Sequence, residues 1–371
     1  MDYKPLTPEL IKEISEDYYK NRSTKATAQD NPTMVLVGGQ PGAGKSNIAA
    51  IVRDELSRKG GYIHVDADRM REMIYLGGTK PTSEQTQADA GKLATTLRSL
   101  SIDNKRNVLE EGTFRSPESV DKFIKDKQDG GYKVELVGIA TPREESILGI
   151  YQRFEMQVQR NEGNPRFVPI DYHDNAMKGF EKTVATQADK VDRIRIFERS
   201  GNVLFDSQSV NNKQPTALGA LIAGQKVSDE KLIAYTNAWA KIADNAATRN
   251  APEAYQNGIA DQAKNIENMK KERLHEFSME KLESNAKTII GDDRFKSHSD
   301  KEIMKIAYFR GFHEKNAEFH ESPPSFERFD NVMAARTMLA DLPDVVDLEG
   351  MAPPRAARGA SQERGGPDHS L

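Results

Sequence analysis

The chain has 371 residues, no cysteine and a formal net charge of −4. That length supports two or three domains with a real core, and the lack of cysteine excludes a disulfide framework, a thiolate zinc site and a Cys nucleophile. The charge balance gives no basic footprint for nucleic acid, no run approaches the ~18 apolar residues of a membrane span, and the first twenty residues carry no signal-peptide pattern, so a soluble cytoplasmic protein is expected, with neither nucleic acid nor membrane as partner.

Residues 1–32 read as a helical lead-in, in which Leu10, Ile11, Ile14 and Tyr18 recur at helical spacing behind Thr7 and Pro8. From 33 to 211 strands and helices alternate. MVLVG is a short apolar strand, SNIAAIVRDELSRKGG a helix closed by a glycine pair, and YIHVDAD a strand ending in acids. A helical stretch from Ser83 to about Ile102 precedes the strand NVLEEGT. The helix SPESVDKFIKDKQDGG, the strand YKVELVGIAT, the helix REESILGIYQRFEMQVQR and a helix around 171–189 follow. RIRIFER and NVLFDS are late strands. Strands separated by helices predict an α/β fold, a parallel sheet covered by helices on both faces in the P-loop nucleotide-hydrolase layout.

The chain after 211 changes character. Long helical patterns fill 212–350 with almost no strand signal, which predicts a mainly helical extension, an accessory domain. Trp239 shares a helical face with Ile242 and reads as a packed core aromatic. The segment 305–320 concentrates aromatics with basic residues and reads as an amphipathic helix whose aromatics pack inward. His313 and His320 share a face there, but without an acid constellation they do not make a metal site. The segment 264–277 reads as a mixed-charge, solvated helix. The Pro-, Gly- and Arg-rich tail 351–371 is expected to be disordered.

The chemistry concentrates at strand ends. Gly39, Gln40, Pro41, Gly42, Ala43, Gly44, Lys45 and Ser46, followed by Asn47, fit G-x-x-x-x-G-K-[ST] between an apolar strand and an amphipathic helix. Glycines permit the backbone angles that turn N–H groups inward, and the helix adds its positive end. Lys45 is expected to reach the β- and γ-phosphates and the Ser46 hydroxyl to ligate Mg²⁺. No guanine-reading segment follows, so ATP is the expected nucleotide. Asp66 and Asp68 end the second strand, where one is expected to do chemistry and the other to cap the next helix. Glu110, Glu111, Thr113 and Arg115 close the third strand as a polar edge suited to sugar hydroxyls and an acceptor phosphate. Arg153 on a helix and Arg166 in a loop supply positive charge for a moving phosphoryl group.

In that order GGQPGAGKS, VDADRM, EEGTFR, YQRFE and the PRFVP loop resemble the zeta toxin family, bacterial P-loop kinases of toxin–antitoxin systems, over roughly residues 9–207. The resemblance implies an ATP- and Mg²⁺-dependent kinase that phosphorylates UDP-N-acetylglucosamine on its 3′-hydroxyl and so inhibits peptidoglycan synthesis. It implies Asp68 as general base. It implies Lys45, Arg153 and Arg166 as the groups on the phosphoryl moiety, and Glu111, Thr113 and Arg115, with Asp66 beside them, as the sugar-nucleotide edge. An antitoxin is the implied protein partner. Two departures stand out: Asp68 lies two residues farther from Lys45 than in better-known members, and an acid of some members' acceptor site falls near Thr95. A kinase for another acceptor (a nucleotide, an antibiotic or a nucleic-acid end) and an ATP-dependent effector whose helical half carries the function remain the competing readings. The helical half is expected to be accessory or regulatory.

Overall fold

The computed structural model describes residues 3–74, 81–82, 84–160 and 165–319. Ser83, His320, residues 321–350 of the expected helical extension and the tail 351–371 lie outside the described residues. The chain divides into two compact units, Met1–Glu267 and Asn268–Leu371. No helix among the described residues is long and apolar enough to cross a membrane.

The first unit is built on a six-stranded sheet of β1 (Thr33–Gly38), β2 (Ile63–Val65), β3 (Val108–Gly112), β4 (Lys133–Ala140), β5 (Arg193–Glu198) and β6 (Val203–Asp206). The spatial order is β2-β3-β1-β4-β5-β6. The first five strands run parallel, and β6 pairs antiparallel with β5. The reason lies in the connections. Each parallel neighbour is reached through a helix, whereas β5 and β6 are joined by a tight turn through Gly201 at φ +101°, which permits only a hairpin.

Alternation along β1 divides the core. Met34 and Leu36 join one buried cluster with Val134, Leu136 and Phe180; Val35 and Val37 join another with Ile48, Val52 and Val137. A strand covered on both faces therefore reads as a continuous apolar run, and each such side chain contributes roughly 1.5–3 kcal/mol by burial. α2 (Lys45–Ser57) packs on the second face. On the first lie α1 (Pro8–Ser23), α4 (Gln87–Asp103), α5 (Pro117–Asp129) and α7 (Ile170–Gln187). The Thr7 hydroxyl caps α1 by accepting from Leu10 N. Asp89 of α4 then holds the start of the chain, accepting from Tyr3 Oη at 2.6 Å and from Leu6 N at 2.8 Å.

Gly38 is required by packing. A Cβ there would lie 2.1 Å from the ring of Phe180, whose aromatic face occupies the space above β1 and β4. α6 (Arg143–Gln159) follows β4, and α8 (Ala217–Gly224) covers β4, β5 and β6. α9 (Asp229–Thr248) packs on α6. The first unit thus runs past residue 211 through α8 and α9 into the start of α10 (Glu253–Ile290). Trp239 is 2% exposed, as a core aromatic should be.

In the second unit Leu282, Ala286 and Ile289 of α10 pack against Ile303, Ala307 and Tyr308 of α11 (Asp300–Phe319). The aromatics Tyr308 and Phe312 turn inward, while His313 is exposed.

Candidate active site

The carboxyl ends of β1, β2 and β3 deliver three motifs to one edge of the sheet. The loop after β1 runs through left-handed Gly42 (φ +78°) and Gly44 (φ +92°) into α2. A side chain at Gly42 would meet the Ser146 carbonyl oxygen at 2.0 Å, so only glycine lets α6 approach the loop this closely. Pro41, Gly42, Gly44, Lys45 and Ser46 line a cavity of about 470 Å³. Gln40 and Ala43 sit behind it as braces. The Gln40 amide donates to Thr141 O at 2.9 Å, and the Thr141 hydroxyl donates to Ala43 O at 2.8 Å. Gly39 and Asn47 complete the loop and the first turn without lining the cavity.

Lys45 Nζ donates to the loop's own carbonyls, Gly39 O at 2.8 Å and Gln40 O at 3.0 Å. Burial pulls its pKa down to about 8, against the opposing pull of Glu111, Asp68 and Asp66. The ammonium is thus a buried charge surrounded by acids and held by weak acceptors, which a phosphate would replace with stronger ones.

Asp66 and Asp68 both line the cavity, in different states. Asp66 is the N-cap of α3 (Ala67–Glu72), its Oδ1 accepting from Asp68 N at 2.9 Å. Burial raises its pKa, and the neighbouring Glu111 and Asp68 charges add to the rise. Asp68 occupies the first turn of α3. Burial alone would raise its carboxyl too, but Arg166 and Arg71 outweigh it and hold it below the usual range. Arg166 Nη1 bonds both of its oxygens at 2.5 Å, and Arg71 reaches Oδ1.

Period-two alternation separates the two glutamates of β3. Glu111 faces the cavity and contacts His64 Nε2 at 2.9 Å. Glu110 turns the other way, into a bidentate pair with Arg98 of α4 at 2.7 Å. Thr113 lines the cavity, but Arg115 does not; its guanidinium stacks 4.6 Å from the ring centre of Tyr172, which does. Thr95 is exposed and also stands off the lining.

Arg153 and Arg166 both reach the cavity. Arg153 Nε and Nη2 are buried and have no hydrogen-bond partner among the described residues. Burial, with Arg166 adding to it, lowers its pKa. The Arg166 backbone N–H is anchored on Gln157 Oε1 at 2.7 Å.

Sequence reasoning missed several lining residues: Gln87, Gln152, Tyr172 and Arg199. Arg199 is the one a sequence signal marks, because it follows the carboxyl end of β5, where open α/β sheets bind ligands. Its Nη1 donates to Gly42 O at 3.0 Å. A Ser–His–Asp array lies behind the loop and is not a second site. Ser146 Oγ meets His173 Nε2 at 2.7 Å, and His173 Nδ1 meets Asp174 at 2.9 Å. Ser146 and His173 are both 0% exposed, so no substrate reaches them; the array anchors the start of α6. Burial holds the His173 pKa down, and hence the ring neutral.

Magnesium takes oxygen donors. The Ser46 hydroxyl and the carboxylates of Asp66, Asp68 and Glu111 line one cavity and fit that preference. Donor atoms of His64, Asp66 and Glu111 also lie within 4.8 Å of one another, but His64 and Glu111 already satisfy each other.

The model of the Zeta toxin family matches residues 16–210. Toxin PezT of Streptococcus pneumoniae serotype 4 is 28% identical over 221 residues, covering 57% of this chain and 85% of PezT. Toxin zeta of Enterococcus hirae is 24% identical over 214 residues, covering 55% of this chain and 74% of its own length. Among solved structures, a chain from the PezAT chromosomal toxin–antitoxin system of Streptococcus pneumoniae shares the fold with a TM-score of 0.56, at 23% identity, over 65% of this chain and 100% of that one.

Proposed function

This chain belongs to the zeta toxin family, and from that premise we propose that it transfers the γ-phosphate of ATP to the 3′-hydroxyl of UDP-N-acetylglucosamine, inhibiting peptidoglycan synthesis. An ATP-binding P-loop kinase is the family property; the acceptor is our reading. The observation that carries it is the convergence of Lys45, Asp66 and Asp68 at the start of α3, Glu111 and Thr113 with Arg153, whose buried Nε and Nη2 lack a partner among the described residues. A buried guanidinium left unpaired costs roughly 1–3 kcal/mol or more, and an incoming phosphoryl group would offset that cost.

In this reading ATP is the donor substrate. Ser46, with a carboxylate of the cavity, would hold Mg²⁺, which would supply positive charge to the ATP phosphates. Lys45 exchanges its two loop carbonyls for phosphate oxygens. The acceptor oxygen attacks the γ-phosphorus as its proton passes to a carboxylate. The bond from that phosphorus to the β-phosphate oxygen breaks, and ADP leaves with the electron pair. Arg153 and Arg166 stabilise the charge that develops.

Asp66 is a second candidate for the base role implied for Asp68. In the unliganded site Arg166 and Arg71 hold Asp68 acidic, which makes it a weak base until Arg166 turns to phosphate. Asp66 has its pKa raised, and its Oδ2 has no hydrogen-bond partner among the described residues. Asp68 then retains Arg166 until phosphate competes for it. Glu111 and Thr113 hold sugar hydroxyls. The same reading puts the protein in the cytoplasm with an antitoxin partner, as the PezAT relative's toxin–antitoxin system suggests.

A second reading changes only the acceptor. It is favoured by Arg115 and Thr95, two positions of the implied acceptor edge that do not line the cavity. The deciding experiment incubates the chain with ATP, Mg²⁺ and UDP-N-acetylglucosamine, with Lys45→Ala as control, and follows ADP release and the phosphorus NMR spectrum. A new sugar phosphomonoester that the control lacks is the expected result. ATP binding without that product, while another acceptor is phosphorylated, replaces the acceptor and keeps the kinase.

A further inference from the structure

The two cavity arginines are each followed in sequence by a phenylalanine: Arg153 by Phe154, Arg166 by Phe167. These rings meet, with centroids 5.6 Å apart. Tyr151, half a turn before Arg153, joins them 5.0 Å from Phe167. The other half of the cluster comes from beyond residue 211. Trp239 of α9 packs edge-on to Tyr151 at 5.0 Å, and Tyr255 at the start of α10 lies 5.1 Å from Phe154 and 5.7 Å from Phe167.

Arg249 closes the arrangement. It bonds Glu155 Oε1 at 2.8 Å, and its guanidinium lies 5.1 Å from the ring centre of Tyr255 and 5.7 Å from that of Phe154. Glu155, the second residue after Arg153, is 4% exposed, so the acid side of this ion pair is desolvated while Arg249 stays partly exposed. All these residues belong to the first unit. Trp239, Arg249 and Tyr255 lie outside residues 16–210, the stretch that matches the family.

We propose that α9 and the start of α10 form a brace that sets Arg153 and Arg166 at the γ-phosphate, with Trp239, Arg249 and Tyr255 as positioning residues. The proposal rests on the reading of those two arginines given above. An arginine with unmet hydrogen bonds does not hold its own orientation; packing must do so. Residues 165–169 have no regular secondary structure. Apart from the Gln157 contact and the Asp68 pair, the insertion of Phe167 into the cluster is what fixes Arg166. Misplacement of such a group by an ångström costs rate, because the charge it stabilises is localised.

The test compares ATP with ADP, since only ATP carries the phosphate the arginines would hold. Calorimetric titrations of the full chain with each nucleotide and Mg²⁺ are run on wild type, Trp239→Ala, Trp239→Phe and Arg249→Ala, with a thermal melt of each. The brace predicts that ATP affinity falls about tenfold in Trp239→Ala and Arg249→Ala, the scale of one lost aromatic or cation–π contact. ADP affinity should stay within about twofold, and Trp239→Phe should recover most of the loss. Arg249 is partly exposed, so that variant serves if Trp239→Ala does not fold. Equal loss for both nucleotides, or no loss, overturns the brace while leaving the arginine reading intact. A wild type that binds ATP no better than ADP overturns the arginine reading, and the brace with it.

Discussion

Arg153, Lys45 and Asp66 are half-buried polar groups in an unfavourable state, and each makes a prediction. Removing Arg153 relieves an unpaired charge, so Arg153→Ala should lower kcat about 100-fold or more while raising the melting temperature by roughly 2–4 °C for each kcal/mol recovered. A melt unchanged or lower would mean the guanidinium is satisfied in solution. For Lys45, burial lowers the pKa to about 8. The unliganded site therefore favours the neutral amine as pH rises through 8, and phosphate favours the ammonium. ATP binding at pH 8.5 should take up a proton, visible as a buffer-dependent binding enthalpy that Lys45→Met abolishes. Asp66→Asn should cost about 100-fold or more in turnover with ATP affinity kept, the usual range for a lost general base. Asp68→Asn should cost less and free Arg166; the reverse order would return the base role to Asp68. The G-x-x-x-x-G-K-S pattern and the acids were readable as residues. Which of the two aspartates the arginines hold was not, because it depends on contacts between distant elements.

At the scale of elements, the sheet edge and the glycines are coupled. Gly38 stands where Phe180 of α7 crosses β1, so Gly38→Ala forces the ring off its position. Overpacking of this kind should cost about 1–3 kcal/mol, read as a lower urea midpoint at unchanged slope. An unchanged midpoint would mean that α7 shifts freely. The strands were legible because a sheet covered on both faces demands continuous apolar runs, and the helices because caps and glycines mark their ends. The antiparallel β6 is a consequence of the missing crossover between RIRIFER and NVLFDS. The opposite faces of Glu110 and Glu111 follow from the pleat, but which of them meets the cavity follows from α4, whose Arg98 takes Glu110.

For the whole molecule, the first unit ends at Glu267, well beyond the stretch that matches the family. Chains ending at residue 267 and at residue 211 should therefore differ. The longer one should keep the melting temperature and the ATP affinity of the full chain. The shorter one loses α8, whose Ala220 and Leu221 are buried, and α9, whose Trp239 is buried, and should melt lower by circular dichroism. Equal behaviour of the two would show that the core closes without these helices.

The sequence by itself determined the α/β layout, the phosphate loop and the set of chemical groups, because backbone angles, strand pleat and helix caps are local and each leaves its mark in neighbouring residues. Only the tertiary structure decided which of Asp66 and Asp68 is held by arginine, that Arg199 reaches the loop, and that Arg115 stands aside on Tyr172. It alone brought Trp239 and Tyr255 against the aromatics beside Arg153 and Arg166. Those facts depend on side chains far apart in the chain excluding water from one another, and no periodicity within a segment encodes such a meeting.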